Sequence, residues 1–145
     1  MEEALKEARL AFEKDEVPVG AIIVVGGQIV ARAHNLVESI RDATAHAERL
    51  VLSRASEALG RWRLNDATLY CTLEPCAMCA GALLSARVGC LVWGAPDLRL
   101  GANGSWIDLF AQKHPMHSLE VRSGVLAKES AALMQLFFTQ KRTKI

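Results

Sequence analysis

The chain has 145 residues, 51% of them hydrophobic, and a formal net charge of +1. Its mean hydropathy is +0.16 and its pI is near 7.7, which gives one domain, 1–145, with enough chain for a core and no bulk charge that would announce a nucleic-acid partner. No run of about 18 apolar residues is present, so no membrane partner is expected, and Met1-Glu2-Glu3 lacks the basic and apolar regions of a secretory signal.

In chain order, Leu5, Ala8 and Phe12 stand at helical spacing up to about residue 14, and Asp15-Glu16-Val17-Pro18 ends that helix. Two strands, 19–25 and 28–33, flank the hairpin turn Gly26-Gly27. The stretch 34–42 is polar and irregular, and Asp42 or Thr44 can cap a helix that carries Leu50, Val51, Ala55 and Leu59 up to Gly60. Residues 68–73 form the third strand. Pro75 marks the first position of a helix running to about Arg87, and 88–93 form a fourth strand parallel to the third. A turn-rich loop follows, then a short helix over 105–110, a loop with Pro115, a fifth strand over 119–126 broken at Ser123-Gly124, and a final helix over 128–141 with Ala132, Leu133, Leu136 and Phe137 inward. This order predicts an α/β fold of three α-β-α layers around a five-stranded mixed sheet. The glycines of 101–104 lack the strand–GxGxxG–helix context of a dinucleotide site, so no nucleotide cofactor is expected.

Two short stretches carry the chemistry. Cys76 and Cys79 lie three residues apart at a helix start, where nearby N–H groups and the positive dipole end favour thiolates. With His46 of Thr44-Ala45-His46-Ala47-Glu48 they make three ligands for one Zn²⁺ per chain and leave a fourth position open, the pattern of catalytic rather than structural zinc. Two thiolates, one neutral imidazole and Zn²⁺ sum to zero charge, which favours activation of a water. On a regular helix His46 and Glu48 point about 200° apart, so both can address one site only if it lies between two helix starts. Cys71 and Cys90 read as small hydrophobes, and four thiols without a disulfide pattern suit a reducing compartment: the bacterial cytoplasm, or an organellar stroma or matrix if a transit peptide was removed.

His46-Ala47-Glu48 with Pro75-Cys76-Ala77-Met78-Cys79 fits the H-x-E…P-C-x-x-C signature of the zinc nucleobase deaminases. Within that cytidine/deoxycytidylate deaminase superfamily the chain resembles the bacterial-type tRNA-specific adenosine deaminases over nearly its whole length. The likeness includes Glu16-Val17-Pro18-Val19-Gly20-Ala21, His34-Asn35, Tyr70-Cys71-Thr72-Leu73-Glu74-Pro75-Cys76, Leu100-Gly101-Ala102-Asn103-Gly104-Ser105 and Phe137-Phe138. It departs at Asp42-Ala43-Thr44, where the family often has Asp-Pro-Thr, and in 36–41, which lacks the Arg-Pro often seen after the Asn. The resemblance implies a cytidine deaminase-like fold and a homodimer that converts adenosine to inosine at the wobble position of a tRNA anticodon stem-loop. It also implies Glu48 as the catalytic acid/base and Asn35, Val19, Ala47, Pro75 and Asp97 as substrate contacts.

The slightly high apolar share and the small-residue run Ala80-Gly81-Ala82 agree with a second subunit covering part of the surface. The basic tail Lys141, Arg142 and Lys144 is the candidate phosphate contact. Alternative readings are a deaminase of a free nucleobase or nucleotide (cytidine, dCMP or guanine) and a non-catalytic, zinc-stabilised RNA-binding module.

Overall fold

The computed structural model describes residues 1–143; the expected tail contact Lys144 lies outside them. Helix α1 (Glu2–Glu13) buries Ala4, Leu5, Ala8 and Ala11 along one stripe, with Glu2 and Glu3 complementing its N-terminal dipole. That stripe lies so close to strand β1 (Gly20–Val25) that a Cβ at Gly20 would stand 2.1 Å from the Ala4 carbonyl oxygen. The turn Gly26-Gly27 has φ of 57° and 76°, the left-handed pair that a two-residue hairpin requires, and it leads into β2 (Gln28–His34). Helix α3 (Ala47–Leu59) then stops at Gly60 in the left-handed conformation. Strand β3 (Ala67–Leu73), helix α4 (Ala77–Ser85) and strand β4 (Cys90–Ala95) form a parallel crossover, and β5 (Glu120–Arg122) and α5 (Ala127–Thr143) close the chain.

The sheet order is β2-β1-β3-β4-β5, with β1 antiparallel to both neighbours and β3, β4 and β5 parallel. Helices α1 and α5 touch each other on one face, and α3 and α4 on the other. Ala21, Ile23, Ala31 and Ala33 of the first hairpin pack with Ala47, Val51, Leu52 and Ala55 of α3 in the main core. Small residues there bring the start of α3 close to the sheet. The alternation of strand directions has one consequence for function. The residues before β1 and after β2, β3 and β4 all emerge at the same edge, so Val19, Asn35, Glu74–Cys76 and Asp97 meet there.

Six expectations need correction. A four-residue helix, α2 (Val37–Ile40), interrupts the stretch expected to be irregular. The helix expected over 105–110 does not form: the Asp108 carboxylate accepts from the N–H groups of Phe110 and Ala111, and Asn103 bridges to Asp108, so local side-chain bonds replace helical ones. Neither Asp42 nor Thr44 caps α3. Asp42 instead accepts from the Thr44 N–H at 2.8 Å in a tight turn, and His46 is the cap; likewise Pro75 precedes the cap of α4, Cys76, rather than occupying its first helical position. On α5, Phe137 is buried edge-on against Phe12 at 5.8 Å, but Ala132 is exposed and Leu136 is 50% exposed. β5 is also shorter than the expected 119–126, ending at Arg122 before Gly124 turns the chain with φ of 78°.

Candidate active site

His46 and Cys76 are the N-cap residues of α3 and α4, both in extended backbone conformations and neither using its side chain to cap its own helix. An ordinary cap Ser or Asp would bond the first-turn N–H groups. Here the cap side chains turn toward each other, and Cys79, at the third position of α4, joins them. The ligand atoms of His46, Cys76 and Cys79 lie within 4.8 Å of one another. His46 Nδ1 is 3.6 Å from both Cys76 Sγ and Cys79 Sγ. A tetrahedral zinc with Zn–S near 2.3 Å and Zn–N near 2.0–2.1 Å requires an S···N edge of about 3.6 Å. The donor set and both N···S edges therefore fit zinc.

The electrostatics point the same way. The hydrogen bond from Cys79, helped by His46 and opposed by burial, lowers Cys76 to about 4, so it is a thiolate at neutral pH. Cys79 is pushed up by its bond to Cys76 and by burial, while the bond to Cys76 raises His46. The cluster thus holds one thiolate beside a thiol and an imidazole, the donor types that bind zinc on losing their protons.

Glu48, in the first turn of α3, is 4% exposed. Burial raises its pKa, and bonds from Cys71 and Cys79 pull the other way. Its Oε1 accepts from Cys71 Sγ at 2.9 Å. Burial and the Glu48 charge keep Cys71 a thiol well above its usual range, so it remains a donor. A buried carboxyl whose pKa lies above the usual carboxylate range can both accept and return a proton near neutrality.

A cavity of about 320 Å³ opens onto these groups, within the usual range for small ligands. Val19, Asn35, Ala47 and Asp97 line it, together with His46, Glu48 and Cys76; Pro75 is buried next to Cys76 and is not among the lining residues. Asn35 is held by its N–H bond to the Val19 carbonyl at 3.1 Å. Asp97 Oδ1 accepts from the N–H groups of Arg99 and Leu100, so part of its carboxylate shapes its own turn. Lys141 and Arg142 are not among the lining residues: Lys141 Nζ is 2.7 Å from Asp15 Oδ2 and sits over the Phe137 ring, and Arg142 is exposed.

Sequence reasoning missed several lining groups. Met134 and Phe138 of α5, and Arg99 and Leu100 of the 97–105 loop, close the mouth, and the buried carboxylates Glu16 and Glu74 stand in its walls. The available signals were the stretches shared with the deaminase family, which include Glu16, Glu74, Leu100 and Phe138, and the acid at an otherwise apolar strand end, Leu73-Glu74-Pro75; Arg99 and Met134 carried none.

A three-layer mixed α/β sheet with cap-borne His and Cys ligands beside a buried glutamate is the cytidine deaminase-like architecture of zinc nucleobase deaminases. Residues 1–142 match the MafB19-like deaminase family, and the chain belongs to it. It is 50% identical to the tRNA-specific adenosine deaminase of Bacillus subtilis strain 168, over 99% of this chain and 89% of that protein. It is 53% identical to the chloroplastic tRNA(adenine(34)) deaminase of Arabidopsis thaliana, over 95% of this chain but only 12% of that longer protein. Among solved structures, a tRNA:A34 deaminase studied for A-to-I editing at the wobble position of transfer RNA superposes with a TM-score of 0.88 at 48% identity, covering 92% of this chain and 96% of that one.

Proposed function

We propose that the chain is a single-domain, zinc-dependent hydrolase that converts adenosine to inosine at the wobble position of a tRNA anticodon, with release of ammonia. The observation that carries this reading is the convergence on one cavity of a zinc-type donor set, a buried glutamate and Asn35, in a chain 50% identical to a tRNA-specific adenosine deaminase over nearly its full length.

His46, Cys76 and Cys79 would hold the zinc, which when bound supplies the Lewis acidity that makes a water nucleophilic at neutral pH. Glu48 takes one proton of the attacking water and delivers it to N1 of the adenine as the C6–O bond forms, then takes the second proton from the oxygen now on C6 and passes it to the amine as the C6–N bond breaks, leaving inosine and ammonia. Cys71 donates to Oε1 of Glu48, which helps to fix the carboxylate. Asn35 and the cavity walls at Val19 and Ala47 orient the base, which must leave its stack to enter. Pro75 acts behind this wall by placing Cys76, and Asp97 stands at the mouth toward neighbouring nucleotides.

Among the described residues Arg142 has only the neutral Thr139 hydroxyl as partner, at 3.4 Å, so it is the tail cation left for phosphate, whereas Lys141 is ion-paired with Asp15. A homodimer is supported by the half-open face of α4, where Met78 is 38% exposed and the space beside Gly81 is empty. All four cysteines are free, which supports a reducing compartment, the bacterial cytoplasm or an organelle. No helix among the described residues is long and apolar enough to cross a membrane. The test is incubation of bulk tRNA with the zinc-loaded protein followed by sequencing: inosine reads as guanosine at the anticodon's first position if the reading is correct, and unchanged tRNA refutes it.

A further inference from the structure

Glu74 is a carboxylate only 2% exposed, directly after β3 and two residues before the ligand Cys76. Among the described residues no Lys or Arg pairs with it; its partners all come from the loop after β4. Oε1 accepts from the Asp97 N–H at 3.1 Å and from the Ser105 hydroxyl, and Oε2 accepts from the N–H groups of Asn103 at 2.9 Å and Ser105 at 3.3 Å. A buried carboxyl group is costly unless its oxygens are hydrogen-bonded, and four donors converge on this one. Gly101 lies so near that a Cβ there would fall 2.2 Å from the carboxylate carbon. Wrapped around Glu74, the loop places Asp97, Arg99 and Leu100 at the cavity mouth.

We propose that Glu74 is a positioning residue for substrate: it ties residues 97–105 into the conformation that forms one wall of the cavity and so governs RNA binding without touching the reacting atoms. The assignment rests on the deaminase reading of the site. Its physical content is the donor pattern. Both oxygens face N–H donors, so an amide at this position turns an NH₂ against at least one of them whichever way it flips. Loss of one charge-assisted bond and the clash with its donor displace the loop, while Glu48, His46 and the two thiols remain in place.

The test is steady-state deamination of an anticodon stem-loop by zinc-loaded wild type, Glu74→Gln, Ser105→Ala and Ser105→Thr. Glu74→Gln should raise KM about tenfold, with kcat at saturation within about threefold and zinc content unchanged. Ser105→Ala, which removes one bond from a half-buried residue, should raise KM about threefold, and Ser105→Thr, which keeps the hydroxyl, should restore it. If Glu74→Gln does not fold, the serine pair decides alone. An unchanged KM with only a lower unfolding midpoint would make Glu74 a stability element and overturn the assignment, as would an effect confined to kcat or to zinc content. A wild-type protein that leaves the stem-loop unreacted overturns the reading of the site itself, a result distinct from an active wild type whose KM the variants do not move.

Discussion

Glu48→Gln separates proton transfer from every other contribution of this residue. The side chain is almost fully buried, so a substitution of equal shape is needed to leave packing intact, and Gln retains an oxygen that can accept from Cys71 as Oε1 does at 2.9 Å. None of the three candidate ligands is altered, so zinc content should stay at one per chain. Stability should hold or rise, because burial works against the ionised carboxylate and an amide carries no charge. What disappears is the capacity to cycle a proton. General acid–base catalysis contributes about 10² to 10⁴ in rate, and one carboxylate here serves the water, N1 and the leaving amine in turn, so kcat should fall by at least about 10³, or about 4 kcal/mol of barrier. Single-turnover deamination of an anticodon stem-loop, with zinc measured on the same samples, reads both quantities. Retention of more than about a tenth of the wild-type rate, below the general acid–base range, would make Glu48 a positioning group, and loss of zinc would make it a ligand.

Cys79→Ser should lower zinc content and the unfolding midpoint together, because a neutral hydroxyl is a poor zinc ligand and metal binding is coupled to folding; full occupancy by elemental analysis with wild-type activity refutes the ligand assignment. Arg142→Gln should flatten the salt dependence of RNA binding by about 0.7 in log–log slope, whereas Lys141→Gln, whose ammonium already faces Asp15, should leave the slope unchanged; a wild-type slope for Arg142→Gln in a salt titration would remove it from the RNA surface. Gly20→Ala should cost about 1–3 kcal/mol of stability by overpacking, since the added Cβ meets backbone atoms of Ala4 and Ala8 at 2.1 and 2.5 Å and α1 must shift. A denaturation midpoint equal to wild type would show that helix and strand are less tightly packed than this geometry requires.

What the sequence made legible was local or periodic. The first hairpin followed from Gly26-Gly27 between two apolar runs, the thiol-bearing helix from the residues after Pro75, and the placement between two helix starts from the angular separation of His46 and Glu48. The remainder depended on contacts that no spacing encodes. Glu16 accepts from the N–H groups of Glu38 and Ser39, 22 and 23 residues away, and thereby holds the short helix that reads as irregular chain. Cys71 reads as a small hydrophobe because only the fold brings Glu48, 23 residues away in sequence, to its sulfur. The inward face of α5 was misjudged by part of a turn: the helix lies on β4 and β3 and touches α1, and the stripe it covers is Ser130, Met134 and Phe137, the last against Phe12, which leaves Ala132 and Leu136 outward.

The metal loop and the substrate loop are one hydrogen-bonded unit. Ala102 donates its N–H to the Pro75 carbonyl at 2.8 Å, Cys76 and Gly101 form a short antiparallel bridge, and Glu74 gathers the donors of the same segment one residue earlier. Cys76 is at once a bridge residue, the cap of α4 and a candidate ligand. A force that fixes its sulfur therefore fixes its backbone, and through the bridge it fixes Gly101 and the turn that presents Asp97, Arg99 and Leu100 to the cavity. Gly101 is required at this junction because any side chain there would displace the Glu74 carboxylate. The start of α4 and the cavity wall at residues 97–101 are thus joined through backbone, by the Cys76–Gly101 bridge and the Ala102 to Pro75 bond, so the candidate ligand Cys76 and the substrate-facing turn share one local frame.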